Sequence, residues 1–288
     1  MLSRHLGFQR VIFDCDSTLS TVEGIDELAV LKGQAEHIVE LTRRAMDGEQ
    51  ALEQVYAERL NLLQPTRAEL VRVGRIYRRT LVPQAAEVVA ALQTVGVDVC
   101  IVSGGLKAAV LGLAALLKIP RRNVFAVEVE LDQFQGQWWD YARYRFSGNP
   151  DERYLAFAPT PLAESDGKIK VVRELSAGKR TLMVGDGSTD LATRGTATLF
   201  AGFGGVARRP AVVDGADVFI EGPGLAAVLP LALSRSKGQK LKGTPFELLL
   251  KAGFTAITEN RVLFKDTNYR EWVLQAHSDA ENDEVFGE

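Results

Sequence analysis

The stretch Val11-Ile12-Phe13-Asp14-Cys15-Asp16-Ser17-Thr18 decides the architecture. Three apolar, β-prone residues run straight into a polar, turn-forming cluster. No polar residue alternates among them, so Val11–Phe13 predict a strand buried on both faces, as in parallel sheets. The carboxylates then fall at the strand's C-terminal end, where open parallel sheets bind ligands. In an extended segment residues i and i+2 face the same way, so Asp14 and Asp16 point into one site while Cys15 points elsewhere. Two adjacent carboxylates repel unless a cation or a shared proton relieves them. A hard, oxygen-liganded Mg2+ is such a cation. Taken alone, the segment reads equally as a polar turn, where Asp and Ser are common.

Further along, the pattern recurs. Val97–Val102 predict a strand ending at Ser103-Gly104-Gly105, and Thr181–Val184 another ending at Gly185-Asp186-Gly187-Ser188-Thr189-Asp190. Thr198–Ala201 and Val218–Ile220 predict later strands, and the alternating run Val124–Phe134 a hairpin ending at Gly136. Helices are predicted at Pro83–Val95 with Gly96 as its stop, at Leu106–Lys118 and at Lys168–Leu175. The alternation predicts an α/β fold with a doubly wound, Rossmann-like parallel sheet.

Between Glu23 and Thr80 the pattern is helical throughout. Gly33 and Gly48 read as helix stops, and Thr66-x-x-Glu69 after Pro65 as a capping box. The expected organisation is a core of residues 1–20 and 81–233, with a helical cap of 21–80 inserted after the first strand. An aromatic insertion at about 138–160 carries Trp138, Trp139, Tyr141 and Tyr144, and 234–288 form a C-terminal extension. The extension starts basic (Arg235, Lys237, Lys240, Lys242) and ends acidic (Asp279, Glu281, Asp283, Glu284, Glu288). Pro245–Leu263, between these ends, predicts helix then strand, a small appendage of open role.

Composition removes other classes. The chain has 288 residues, 46% of them hydrophobic, enough to bury a sizeable core. Lys+Arg number 34 against 37 Asp+Glu, a net charge of -3, which gives no general attraction for nucleic acid or an anionic membrane. Two cysteines, Cys15 and Cys100, exclude a disulfide scaffold and a cysteine-rich zinc module. Three histidines argue against a His-based metal cluster. No apolar run has the length of a membrane span, and Met1–Arg10 lack the apolar core of a secretory signal. A soluble, reduced, cytoplasmic protein is expected.

The chemistry follows from the strand ends. Asp186 is placed to complete a Mg2+ site with Asp14. Gly185-x-Gly187 lacks the third glycine of a dinucleotide site, and the Walker phosphate-loop pattern is absent. Ser188 or Thr189 suits a helix N-cap. A hydroxyl and free backbone N–H groups at Ser103-Gly104-Gly105, before a helix, suit phosphate. Lys168, opening a helix after Gly167, is the cation that phosphate needs; elsewhere such a lysine is a solvated side chain.

Asp-x-Asp-x-Thr, Ser-Gly-Gly, a helix-opening Lys and Gly-Asp-Gly-x-x-Asp, in that order, resemble the haloacid dehalogenase superfamily of phosphohydrolases. Glu23–Ala29, Thr42–Met46, Glu58–Leu60, Ala163–Ser165 and Gly202–Gly205 make the chain similar to its phosphoserine phosphatase branch. The likeness covers roughly residues 10 to 233, apart from extra residues around 140 to 158. It implies a Mg2+-dependent enzyme that hydrolyses O-phosphoserine to serine and phosphate. It implies Asp14 as the nucleophile that becomes an aspartyl-phosphate, and Asp16 as the acid for the leaving alkoxide and the base for water. Mg2+ is implied on Asp14, Asp186 and the backbone carbonyl of Asp16, with Asp190 in support. Ser103 and Lys168 are implied to hold the phosphoryl oxygens. Substrate contacts fall to Glu23, Met46, Arg59, Ser103, Gly104 and Thr189. Glu23 suits an ammonium, and the Arg59 fork a carboxylate.

Leu52 stands where that branch has Phe, which changes the substrate wall. The expected partner is a small molecule, with neither nucleic acid nor membrane; a homodimer is open. Three other readings stay open: a phosphotransferase (to homoserine, for example) or phosphatase for another small ester, a receiver module switched by phosphorylation of Asp14, and an interaction role for the extension. Asp16 and the cap weigh against the receiver.

Overall fold

A computed structural model describes residues 7–46, 52–135, 138–140, 149–157 and 160–278. Strand β1 (Arg10–Phe13) is followed by four helices, α1 (Gly24–Lys32), α2 (Ala35–Met46), α3 (Leu52–Leu63) and α4 (Arg67–Arg79). Then come α5 (Ala85–Thr94), β2 (Asp98–Leu106), α6 (Lys107–Leu116), β3 (Val124–Val127), β4 (Val129–Asp132) and β5 (Arg153–Phe157). Helix α7 (Gly167–Ser176) leads into β6 (Thr181–Gly185), the short α8 (Ser188–Leu191), β7 (Leu199–Phe203), α9 (Pro210–Gly215) and β8 (Val218–Ile220). The chain continues through α10 (Val228–Ala232), α11 (Arg235–Gln239), α12 (Glu247–Thr258), β9 (Val262–Phe264) and α13 (Thr267–Ser278).

The main sheet has the order β3-β2-β1-β6-β7-β8-β9. All neighbours are parallel except β9, which runs antiparallel to β8. Both faces are buried, as the unbroken apolar run of β1 requires. Val11, Phe13, Ile101, Val184 and Ala201 pack on one face; Ile12, Cys100, Val102, Met183 and Phe200 pack on the other. Helices α5 and α6 cover the first face, and α7 and α9 the second. The winding reverses between β1 and β6, the place where such sheets bind ligands.

Local signals explain the helical block. Gly33 ends α1 in the left-handed conformation at φ 66°, its N–H donating to the Ala29 and Val30 carbonyls. Thr66 and Glu69 form the reciprocal capping box of α4, and Lys32 Nζ, 2.9 Å from Glu69, ties α1 to α4. Gly48 lies outside the described residues.

Two expectations are corrected and a third is extended. Val124–Phe134 is not a hairpin: β3 pairs in parallel with β2, and β4 pairs with β5, which the sequence reading did not foresee. Alternation alone cannot say which partner a strand chooses. The two-stranded β4–β5 sheet meets the cap: Tyr154 N–H donates to the Pro65 carbonyl (2.8 Å), and Arg67 pairs with Glu152. Trp138 and Trp139 are exposed beside it, whereas Tyr141 and Tyr144 lie outside the described residues. Second, β2 runs on to Leu106 through a register shift, so Ser103-Gly104-Gly105 sit in its bulged end rather than after it. Third, the helix and then strand expected in the extension are there, as α12 and β9, and they are built onto the core. Strand β9 adds an edge to the main sheet, and Leu250, Ile257, Val262, Tyr269 and Val273 are buried in the cluster that holds β1. Among the described residues, no helix is long and apolar enough to cross a membrane.

Candidate active site

Strands β1 and β6 run side by side with Phe13 opposite Val184. Their C-terminal ends therefore bring Asp14 and Asp186 together at the reversal point. Both are buried, at 6% and 3% exposure, and Asp190 from α8 is wholly buried beneath them. A Cβ at Gly185 would fall 2.3 Å from the Asp190 carboxyl carbon, so glycine there lets this carboxylate fold under the strand end. Asp190 Oδ2 accepts the Gly187 N–H at 3.0 Å and so caps α8, a task the sequence assigned to Ser188 or Thr189.

Lys168, from the first turn of α7, reaches Asp14 Oδ2 at 2.8 Å and Asp190 Oδ1 at 2.7 Å. Asp14 Oδ1 accepts the Cys15 N–H at 2.7 Å. Asp186 accepts from Thr18 Oγ1 (3.2 Å) and from Arg209 Nε (3.1 Å). Burial, then the charge of Asp190, holds the Asp14 carboxyl well above the usual range, with Lys168 pulling it back. Burial and Asp190 likewise raise Asp186. Burial pulls the Lys168 ammonium down, but Asp14 and Asp190 outweigh it and the net shift is upward. One carboxylate oxygen from each of Asp14, Asp186 and Asp190 comes within 4.8 Å of the others. Buried, all-oxygen and crowded with like charge, this set suits a hard divalent cation.

The Asp16 carboxylate turns toward the cap. Its Oδ1 accepts from the Gly24 N–H (2.7 Å) and Tyr77 Oη (2.5 Å), and its Oδ2 from Ser103 Oγ (3.3 Å). The carboxylate cluster thus joins Asp190, expected in support, to Asp14 and Asp186, and leaves Asp16 only the backbone carbonyl that the resemblance implies for a metal. Ser103 is fully buried behind Asp16, its Oγ accepting the Gly105 N–H at 2.8 Å.

A cavity of about 760 Å³ joins these groups to the cap. Asp14, Asp16, Lys168, Asp186, Thr189 and Gly104 line it, together with Glu23 and Arg59. Glu23 Oε1 accepts from Ser17 Oγ at 2.8 Å, and burial with the charge of Asp16 pushes its carboxyl up to about 7. Burial lowers the Arg59 guanidinium, and the charge of Asp26 opposes it. Met46 ends α2, but its side chain and that of Leu52 lie outside the described residues.

Three residues that contact the site's groups were missed from the sequence. Arg209 bonds Asp186 and lies 4.0 Å from Glu23; two adjacent arginines beyond a strand end, before Pro210, were the available signal. Tyr56 donates to the Gly104 carbonyl at 3.1 Å, and Tyr77 to Asp16. Both lie in helices, where apolar periodicity says nothing of a tyrosine's polar tip.

The model of the family described as haloacid dehalogenase-like hydrolase matches residues 8–194. The Homo sapiens protein named phosphoserine phosphatase is 38% identical over 214 residues, 73% of this chain and 88% of the human one. The Arabidopsis thaliana "Phosphoserine phosphatase, chloroplastic" is 35% identical over 218 residues, 74% of this chain and 68% of the plant protein. A solved structure titled "Phospho-Aspartyl Intermediate Analogue of Phosphoserine phosphatase" superposes with a TM-score of 0.59 at 25% identity, covering 75% of this chain and 94% of its own. The match covers β1, the cap, α7 and β6, and with them Asp14, Asp16, Glu23, Arg59, Lys168 and Asp186, and the chain belongs to the haloacid dehalogenase-like hydrolases, as a phosphoric monoester hydrolase.

Proposed function

We propose that the chain hydrolyses O-phosphoserine through an aspartyl-phosphate on Asp14, with Mg2+ as cofactor. The observation that carries this reading is one cavity holding Asp14 and Lys168 together with Glu23 and Arg59. The first pair suits a phosphoryl group, the second a zwitterionic amino acid. The names of the human and plant relatives support the same substrate.

Asp14 attacks phosphorus, a P–O bond to its carboxylate forms, and the P–O bond to the serine oxygen breaks. Asp16 gives its proton to that oxygen. A water then attacks the phosphorus of the aspartyl-phosphate, loses a proton to Asp16, and releases phosphate with Asp14 restored. Lys168, already on Asp14, lies within reach of phosphoryl oxygens arriving there and offsets their charge. Mg2+ held by Asp14, Asp186 and the Asp16 carbonyl would supply further positive charge against those oxygens. Glu23 is pushed up by burial, so an arriving ammonium both finds its partner and favours its ionised form. The cap encloses the reacting groups and limits water.

A phosphate-release screen over small phosphomonoesters, with Mg2+ and with a chelator, tests this. Phosphoserine is expected to give the highest kcat/KM, chelation to stop release, and added homoserine to accept no phosphate. A wild type preferring esters without an amino-acid group would leave the phosphohydrolase and remove the substrate. Arg59→Ala sharpens the test. It should raise KM for phosphoserine, with a roughly tenfold to hundredfold loss in kcat/KM, the worth of a hydrogen bond to a charged group. An ester lacking the carboxylate should be spared. Equal losses on both esters would mean that Arg59 holds the cap and does not read the substrate.

A further inference from the structure

The two oxygens of Asp16 are not equivalent. Oδ1 accepts two short hydrogen bonds, from Tyr77 Oη at 2.5 Å and from the Gly24 N–H at 2.7 Å. Among the described residues, Oδ2 accepts one long hydrogen bond, from Ser103 Oγ at 3.3 Å. We infer that Tyr77 is a positioning residue for catalysis: with Gly24 it fixes Oδ1 as an acceptor and leaves Oδ2 to carry the proton to and from the reacting oxygens. This rests on the proposed role of Asp16 as acid and base.

The donors are built for the task. Tyr77 is fully buried in α4, and a neutral phenol is a donor near pH 7. Gly24 makes room for it: a Cβ there would fall 2.0 Å from the phenol oxygen. The helix carrying Tyr77 is pressed onto the core. A Cβ on Gly74 would lie 2.9 Å from the Ala109 carbonyl oxygen, and one on Gly112 would lie 3.1 Å from the Gly74 Cα. Helices α4 and α6 therefore cross at backbone contact, and the phenol reaches Asp16 from a fixed support. Asp16 itself sits in a turn, and its carboxylate is held by donors from outside that turn, Gly24, Tyr77 and Ser103. The cap thus sets the orientation of the acid–base group as well as enclosing the substrate.

The consequence is a dependence on the leaving group. A serine alkoxide needs a proton as the P–O bond breaks; a nitrophenolate leaves as a stable anion without one. The value of kcat/KM covers the steps through departure of the alcohol, so it isolates this proton transfer. Tyr77→Phe removes one oxygen and one charge-assisted hydrogen bond. The ratio of kcat/KM for phosphoserine to that for p-nitrophenyl phosphate should fall roughly tenfold to a hundredfold, mainly in kcat for phosphoserine.

The experiment measures both esters with the full chain and Mg2+, alongside thermal melting. The double variant Tyr77→Phe, Asp16→Asn is compared with Asp16→Asn alone. Support is a fall in the ratio together with no further loss on phosphoserine in the Asp16→Asn background. An unchanged ratio, with both esters losing alike or neither losing, overturns the role. If Tyr77→Phe melts early, Gly24→Ala displaces the same hydroxyl and must show the same fall in the ratio, or the role is overturned. Full activity of Asp14→Asn would instead overturn the mechanism on which the role of Tyr77 depends, and that variant does not touch Tyr77.

Discussion

Asp14→Asn abolishes phosphate release and leaves the chain folded. Asparagine keeps the shape of the side chain at the end of β1, but an amide does not form an acyl phosphate. The loss in kcat is expected to be on the order of 10⁴-fold or more, as for removal of other covalent nucleophiles. Stability should hold for an electrostatic reason. Asp14 is buried beside Asp190, Asp16 and Asp186, and burial with these charges already disfavours its ionised form. Removing that charge relieves repulsion, while Lys168 keeps Asp190 as its partner at 2.7 Å. Inorganic phosphate release and thermal melting, run on the same preparation, check both halves. Normal turnover by a folded Asp14→Asn protein would falsify the covalent mechanism.

How far the sequence carries the site depends on which residues are compared. The strand ends were legible because Val11–Phe13 and Leu182–Val184 are unbroken apolar runs that lead into Asp14 and Asp186. The sequence put Asp14 and Asp186 at strand C-termini; the structure adds that β1 and β6 are parallel neighbours at the reversal point, which brings the two together. Thr66 and Glu69 were legible because a capping box is local chemistry at fixed spacing. What failed was non-local. Nothing in Val129–Asp132 says that its partner is Arg153–Phe157 across the aromatic insertion. A strand was expected at the end of Pro245–Leu263, but nothing in the three residues of β9 says that it pairs with Val218–Ile220 at the edge of the sheet. Tyr77 was invisible for a related reason. Its ring satisfies the apolar pattern of α4, and only the folded chain places its hydroxyl against Asp16. Arg209 was hidden by its loop, since a cation beyond a strand end is usually solvated. Its contact to Asp186 exists because β7 neighbours β6.

Lys168→Met should destabilise the fold as well as impair turnover. Lys168 is 7% exposed and bridges Asp14 and Asp190 at 2.8 and 2.7 Å. Methionine fills much the same space, so packing changes little; the charge is what goes. Breaking a buried ion pair by removing one partner costs about 3–5 kcal/mol, because the remaining charge stays buried without compensation. For a chain of this size that lowers Tm by roughly 10 °C. Two conditions separate this cause from poor packing. The first is acidification. Burial and its neighbours raise the Asp14 carboxyl above its unfolded value, so its ionisation opposes folding at neutral pH, and that opposition shrinks as pH falls below the folded value and is gone below the unfolded one. The stability gap between wild type and variant should therefore narrow toward acid pH. The second is Mg2+. If Asp14 and Asp186 hold the cation, its charge takes over part of the work of Lys168, and melting in Mg2+ against melting in chelator should narrow the same gap without any measurement of activity. A gap that ignores both pH and Mg2+ would mean that methionine disturbs the seat of α7 on the turn at Pro161–Ala163, and that the ammonium is not what balances the carboxylates at the ends of β1 and β6.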